Sequence, residues 1–79
     1  MKLPRNLNGL ELAEHFVRKW DYQRIHQTGR PIILGSNSPA HQRISIPAHK
    51  PLRTGTLAKI LQLVAGHKHE SEIEILKGL

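Results

Sequence analysis

The sequence predicts an α+β fold: helix, three strands, helix, and a short helix at the end. Three observations predict it. Apolar residues recur at helical spacing over residues 12–20 and again over 57–64. Between them lie three short runs of strand character. One of these, residues 43–47, alternates strictly, with Ile44 and Ile46 on one face and Arg43 and Ser45 on the other. A chain of 79 residues makes one small domain. A domain of this size buries only about 60% of its unfolded surface, so a partner or self-association would help it.

Helix 1 opens at Asn8, whose side chain can cap the first turn, and Glu11 follows three residues later as a capping-box partner. Leu12, Ala13, Phe16, Val17 and Trp20 form its apolar face, and it is expected to end near Trp20. His15 lies beside that face and is expected at the surface. Phe16, Trp20 and Tyr22 are the only aromatic residues, all at this end. They are expected as core anchors, because a base-stacking platform needs aromatics spread over an open sheet.

Strand 1 is expected over residues 22–27, followed by a turn at Thr28-Gly29. Strand 2 covers 31–34, with Pro31 at its first residue or on an edge because proline has no N–H to give the ladder. Residues 35–39, Gly-Ser-Asn-Ser-Pro, have loop composition. Strand 3 covers 43–47. Ile25 faces away from Arg24 and His26, so the sheet is expected to have one apolar face under helices. Its other face is expected open and basic, displaying Arg24, His26 and Arg43. A loop over 49–53, containing Pro51, leads to helix 2 near Thr54-Gly55. That helix carries Leu57, Ile60, Leu61 and Val64 at i, i+3, i+4 and i+7, with Gly66 as its natural stop. Ser71 and Glu74 open a short helix 3 that presents Ile73, Leu76 and Leu79.

The charge is unevenly spread. The net charge is +6, yet residues 22–69 hold seven Lys and Arg, five of the six His, and no Asp or Glu. Such a stretch attracts a polyanion, since Lys and Arg contacts to phosphate supply most non-specific nucleic-acid affinity. A solvated basic surface, or a face made for an acidic protein, has the same composition. Paired carboxylates for acid–base work or for an oxygen-ligand metal site could come only from the two ends of the chain. An active site inside the basic stretch would therefore run on histidine, without metal.

Other classes fall away. No apolar run approaches the ~20 residues of a membrane span. The start has no apolar stretch of the secretory-leader kind. There are no cysteines, which removes disulfides, Cys-zinc sites and thiol catalysis and permits a cytoplasmic home. His67-Lys68-His69 offers only two metal ligands with a lysine between them, and suits a polar inter-helix loop better.

The order α-β-β-β-α is that of double-stranded-RNA-binding domains. The residues resemble one family more narrowly. Met1-Lys2-Leu3-Pro4-Arg5, Asn8-Gly9-Leu10-Glu11 and His26-Gln27-Thr28-Gly29 are similar to the first half of HicA proteins, the toxins of HicA–HicB toxin–antitoxin pairs. So are the segments Arg43-Ile44-Ser45-Ile46-Pro47-Ala48-His49 and Pro51-Leu52-Arg53-Thr54-Gly55-Thr56-Leu57. The likeness runs nearly collinearly from Met1 to the end of helix 2. No single motif is specific; the ordered set is. The resemblance implies a dsRBD-like fold and an endoribonuclease that cleaves mRNA without metal or other cofactor. It also implies a HicB-type antitoxin covering the site.

The resemblance breaks at one point. The family's catalytic histidine lies in a Gly-Ser-His motif at the turn into the second strand, where this chain reads Gly29-Arg30-Pro31. Gly29 keeps the turn's flexible position. Pro31 stands where the histidine would be and cannot move a proton. Three explanations stand: a decayed copy that still binds RNA or antitoxin, a variant selected because the active toxin harms its host, or transfer of the role to His26 or His49. His49 matches a family position and is read as structural or RNA-facing; an ordinary surface or loop role suits both histidines better than catalysis. Arg24, His26, Arg30, Arg43, Lys50 and Arg53 are the expected RNA contacts, Arg30 being either a phosphate contact or a solvated turn residue.

Overall fold

The computed structural model describes residues 3–4, 6–25 and 31–79. Its elements are α1 (Gly9–Lys19), β1 (Gln23–Arg24), β2 (Ile32–Ser36), β3 (Gln42–Ile46), α2 (Thr54–Lys68) and α3 (Glu72–Leu76). The three strands form one antiparallel sheet in the order β1-β2-β3. This is the expected α-β-β-β-α order with its short final helix. Among the described residues, no helix is long and apolar enough to cross a membrane.

The cap signals hold. Asn8 accepts from the Glu11 amide at 2.8 Å, and Ser71 accepts from the Glu74 amide at 3.2 Å. Each bond satisfies one of the amides that a helix start leaves without a partner. The core lies between the helices and one sheet face. Ile32 and Leu34 of β2 pair with Ile46 and Ile44 of β3 and are buried. Leu12 and Phe16 of α1 and the stripe Leu57, Ile60, Leu61 and Val64 of α2 cover them. Phe16 and Tyr22 are fully inside, and Trp20 packs at the margin.

Several expectations are corrected. β2 runs through Gly35 and Ser36, which composition assigned to a loop, because both pair with β3. β3 spans Gln42–Ile46 and leaves Pro47 outside. β1 spans Gln23–Arg24, and beyond it the Ile25 amide donates to Ile33 O at 2.9 Å. Residues 26–30, with the turn expected at Thr28-Gly29, lie outside the described residues. α2 does not stop at Gly66; it continues to Lys68 and ends at His69, whose φ of 58° is left-handed. A glycine inside a helix costs about 1 kcal/mol against alanine, and contacts made by the two residues after it outweigh that. In α3 the buried residue is Ile75, while Ile73 and Leu79 are exposed. His15 is buried, because α3 docks over it.

The faces of β1 are the reverse of the expectation. Arg24 pairs with Leu34, and Gln23 with Gly35, so Arg24 lies on the helix side of the edge strand. Ile25 lies on the open side. Tyr22 is the larger group and takes the core position at that end. Ile25 fills the space above Gly35, where an added Cβ would stand 3.1 Å from Ile25 Cδ1. The open face of the described sheet thus carries Arg43 beside Ile25, Ile33, Gly35 and Ser45, and is not uniformly basic.

Candidate nucleic-acid interface

The pair Ile32↔Ile46 fixes one end of the sheet. Pro31, expected as the first residue of β2, is exposed and directly precedes it, and Pro47 directly follows β3, so both belong to this end. The loop after Pro47 carries His49, Lys50 and Arg53, all exposed. Arg53 is the N-cap of α2 and makes no side-chain cap bond, so the helix start adds its own partial positive charge to this end.

The loop is pinned from below. The Gly9 amide donates to His49 O at 3.1 Å, and the Leu52 amide donates to Leu7 O at 2.8 Å. α1 therefore begins hard against the loop: an added Cβ at Gly9 would lie 1.9 Å from Pro47 O. Only glycine allows that approach. Three segments distant in sequence, the start of α1, the start of β2 and the β3–α2 loop, thus share one end of the molecule.

The expected site residues divide accordingly. Pro31 and the loop that carries His49, Lys50 and Arg53 belong to this end of the sheet. Arg43 is exposed on the open face opposite Gly35, about 10 Å along β3 from Ile46 at ~3.3 Å per residue. Arg24 does not join it. It lines a small apolar groove of about 280 Å³ with Leu10, Val17 and Arg18 of α1. His26, Gly29 and Arg30 lie outside the described residues. Among the described residues, no three His, Asp or Glu side chains gather as metal ligands.

The opposite end of the sheet holds a polar cluster that sequence reasoning missed. Lys68 Nζ donates to Ser36 Oγ at 2.9 Å and to Ser38 O at 2.6 Å, and stands 4.6 Å from the centre of the Tyr22 ring. His67 Nε2–H donates to Ala40 O at 2.5 Å. The Tyr22 hydroxyl donates to Gln42 Oε1, and Gln42 Nε2 donates to Leu63 O at 3.1 Å. Burial pushes the Tyr22 phenol up to about 12. Burial also lowers the Lys68 ammonium below its usual range, and the charge of Asp21 partly offsets this. His67-Lys68 is therefore neither a metal site nor a loop, but the last turn of α2 clasping the β2–β3 connection. The one available signal was the pair of donor side chains just past Gly66.

No known protein family, curated protein or solved structure matches the chain.

Proposed function

We propose that this protein is an RNA-binding member of the HicA type, built on an mRNA-cleaving toxin scaffold and covered in the cytoplasm by a HicB-type antitoxin. The observation that carries this reading is the end of the sheet shared by Pro31, just before β2, and the loop after β3 with exposed His49, Lys50 and Arg53. No carboxylate occurs from residue 22 to residue 69, so the basic loop itself carries none to oppose a phosphate backbone. Pro31 occupies the position the resemblance gives to the proton-transferring histidine. Losing a general acid or base typically costs a factor of about 10²–10⁴, so the chain as it stands holds RNA with little turnover.

Pro31 itself favours a second reading, a non-catalytic module that binds RNA or antitoxin on the same fold. Cleavage of a defined mRNA in chelator separates the two. The chain as written is compared with Pro31→His and with Arg30→Ser/Pro31→His. Cleavage by the double variant alone supports a disarmed nuclease. RNA binding without cleavage by any of the three supports the module. Equal cleavage by all three moves the chemistry to another group, with His49 and His26 the next to be replaced.

A further inference from the structure

The connection between β2 and β3 is held unusually firmly for a short Ser/Asn/Pro loop. Ser36 Oγ accepts from the Ser38 amide at 3.3 Å and lies 3.2 Å from Ser38 O, while Lys68 and His67 grip Ser38 O and Ala40 O from the α2 side. These bonds use the inner side of the loop. Its outer side chains, Asn37 and His41, remain exposed and are bonded to each other at 3.1 Å. A loop fixed from behind with free polar groups in front is a preorganised recognition element.

Those two residues form one wall of a groove of about 750 Å³, within the roughly 300–1,000 Å³ of small-ligand sites. Ile25 and Gly35 give it a low apolar surface, and Asp21 is also part of its lining. Among the described residues no Lys or Arg side chain lines this groove, in a chain with a net charge of +6, and the Lys68 ammonium lies behind it on Ser36, Ser38 and the Tyr22 ring. Asp21 is the one carboxylate among its described lining residues. A carboxylate repels phosphate but accepts from N–H donors. The chemistry of the walls therefore suits the edge of a base and not the backbone. The backbone has its own contact close by: Arg43 is the cross-strand partner of Gly35 and is exposed on the same sheet face.

We propose that this groove is a nucleobase subsite that takes one unpaired base of single-stranded RNA and prefers a base with adjacent N–H donors, guanine first. The inference rests on the RNA-binding reading above. Guanine presents N1–H and its 2-amino group side by side, which matches a carboxylate in two-point fashion. Uracil and inosine each lack the amino group.

The test is equilibrium binding of three short RNAs to the intact chain: a uridine tract, the same tract with one central guanosine, and the same with inosine there. Guanosine is expected to bind about tenfold more tightly than the other two, the order of discrimination that a two-point base contact provides. Asp21→Asn is the first variant, because Asp21 has a φ of 58° and asparagine tolerates that left-handed backbone. Asn37→Ala, at an exposed position, is the second. Both are expected to abolish the preference, so that each variant binds the guanosine, inosine and uridine RNAs alike. If all three RNAs bind alike, or the preference survives both variants, the subsite is refuted and the RNA-binding reading stands. If none binds, the RNA-binding reading fails and takes the subsite with it.

Discussion

The Nε2–H of His15 donates to the main-chain oxygen of Ile75 at 2.6 Å, across 60 residues of sequence. Trp20 Nε1–H reaches the same oxygen at 3.2 Å. Two side chains of α1 and its end thus share one carbonyl of α3, and Ile75 itself is fully buried. A carbonyl oxygen can only accept, so the Nε2 atom carries the hydrogen of this bond. His15→Ala removes this bond and leaves a void, and it is expected to lower stability by about 2–4 kcal/mol. Urea unfolding with a monitored midpoint checks it. A change below about 0.5 kcal/mol would mean that α3 does not depend on this anchor.

Two glycines make opposite predictions. Gly9→Ala drives a Cβ into Pro47 O and is expected to cost at least about 2 kcal/mol. Gly66→Ala meets nothing within 4 Å inside α2, so it is expected to stabilise by about 0.5–1 kcal/mol. Thermal melts of the two variants should move in opposite directions; movement in the same direction refutes one of the two packing descriptions.

The single tyrosine gives a clean pH probe. An unfolded chain releases the phenol proton near pH 10, while the folded chain holds it to about 12. Between those values the unfolded state binds fewer protons, so stability falls as pH rises. This contribution is whole below pH 10 and gone above 12, about 2–3 kcal/mol in all. Lys68 works the other way, because burial makes the folded chain shed that proton first and relieves a cost as pH rises towards 10.5. The phenolate absorbance reads Tyr22 alone. A midpoint near 10 in the folded protein would place the hydroxyl in water.

If the β3–α2 loop binds phosphate, each of Lys50→Ala and Arg53→Ala is expected to reduce the slope of log K against log salt by about 0.7–0.9 for single-stranded or duplex nucleic acid. Arg24→Ala, on the helix side of β1, is expected to leave the slope unchanged. A lower slope from Arg24→Ala and an unchanged one from the loop variants would reverse the assignment of the binding end.

What was legible in the sequence was local. Asn8 and Ser71 announce caps because the bonds they make span three residues, and the stripe from Leu57 to Val64 announces a buried helix face by spacing alone. What was not legible was decided at a distance. The faces of Arg24 and Ile25 depend on their register with Leu34 and Gly35 and on Tyr22 claiming the core. The burial of His15 depends on residue 75, and the length of α2 past Gly66 on what Lys68 finds at Ser36 and Ser38. In the candidate site, the basic loop was visible in composition, but its place at the same end as Pro31 follows only from strand pairing. The groove behind Asn37 had no linear signal, since its walls come from α1, β1 and the β2–β3 loop.

The shared carbonyl at Ile75 also sets a timetable. Contacts between the first and last helices are the last to become possible as a chain emerges from the ribosome. Until residue 75 is free, the pocket around His15 and Trp20 has no lid, and the apolar side of α1 stays open to water. Closure of this domain therefore waits for α3, and a chain halted before α3 leaves the His15 and Trp20 side of α1 uncovered.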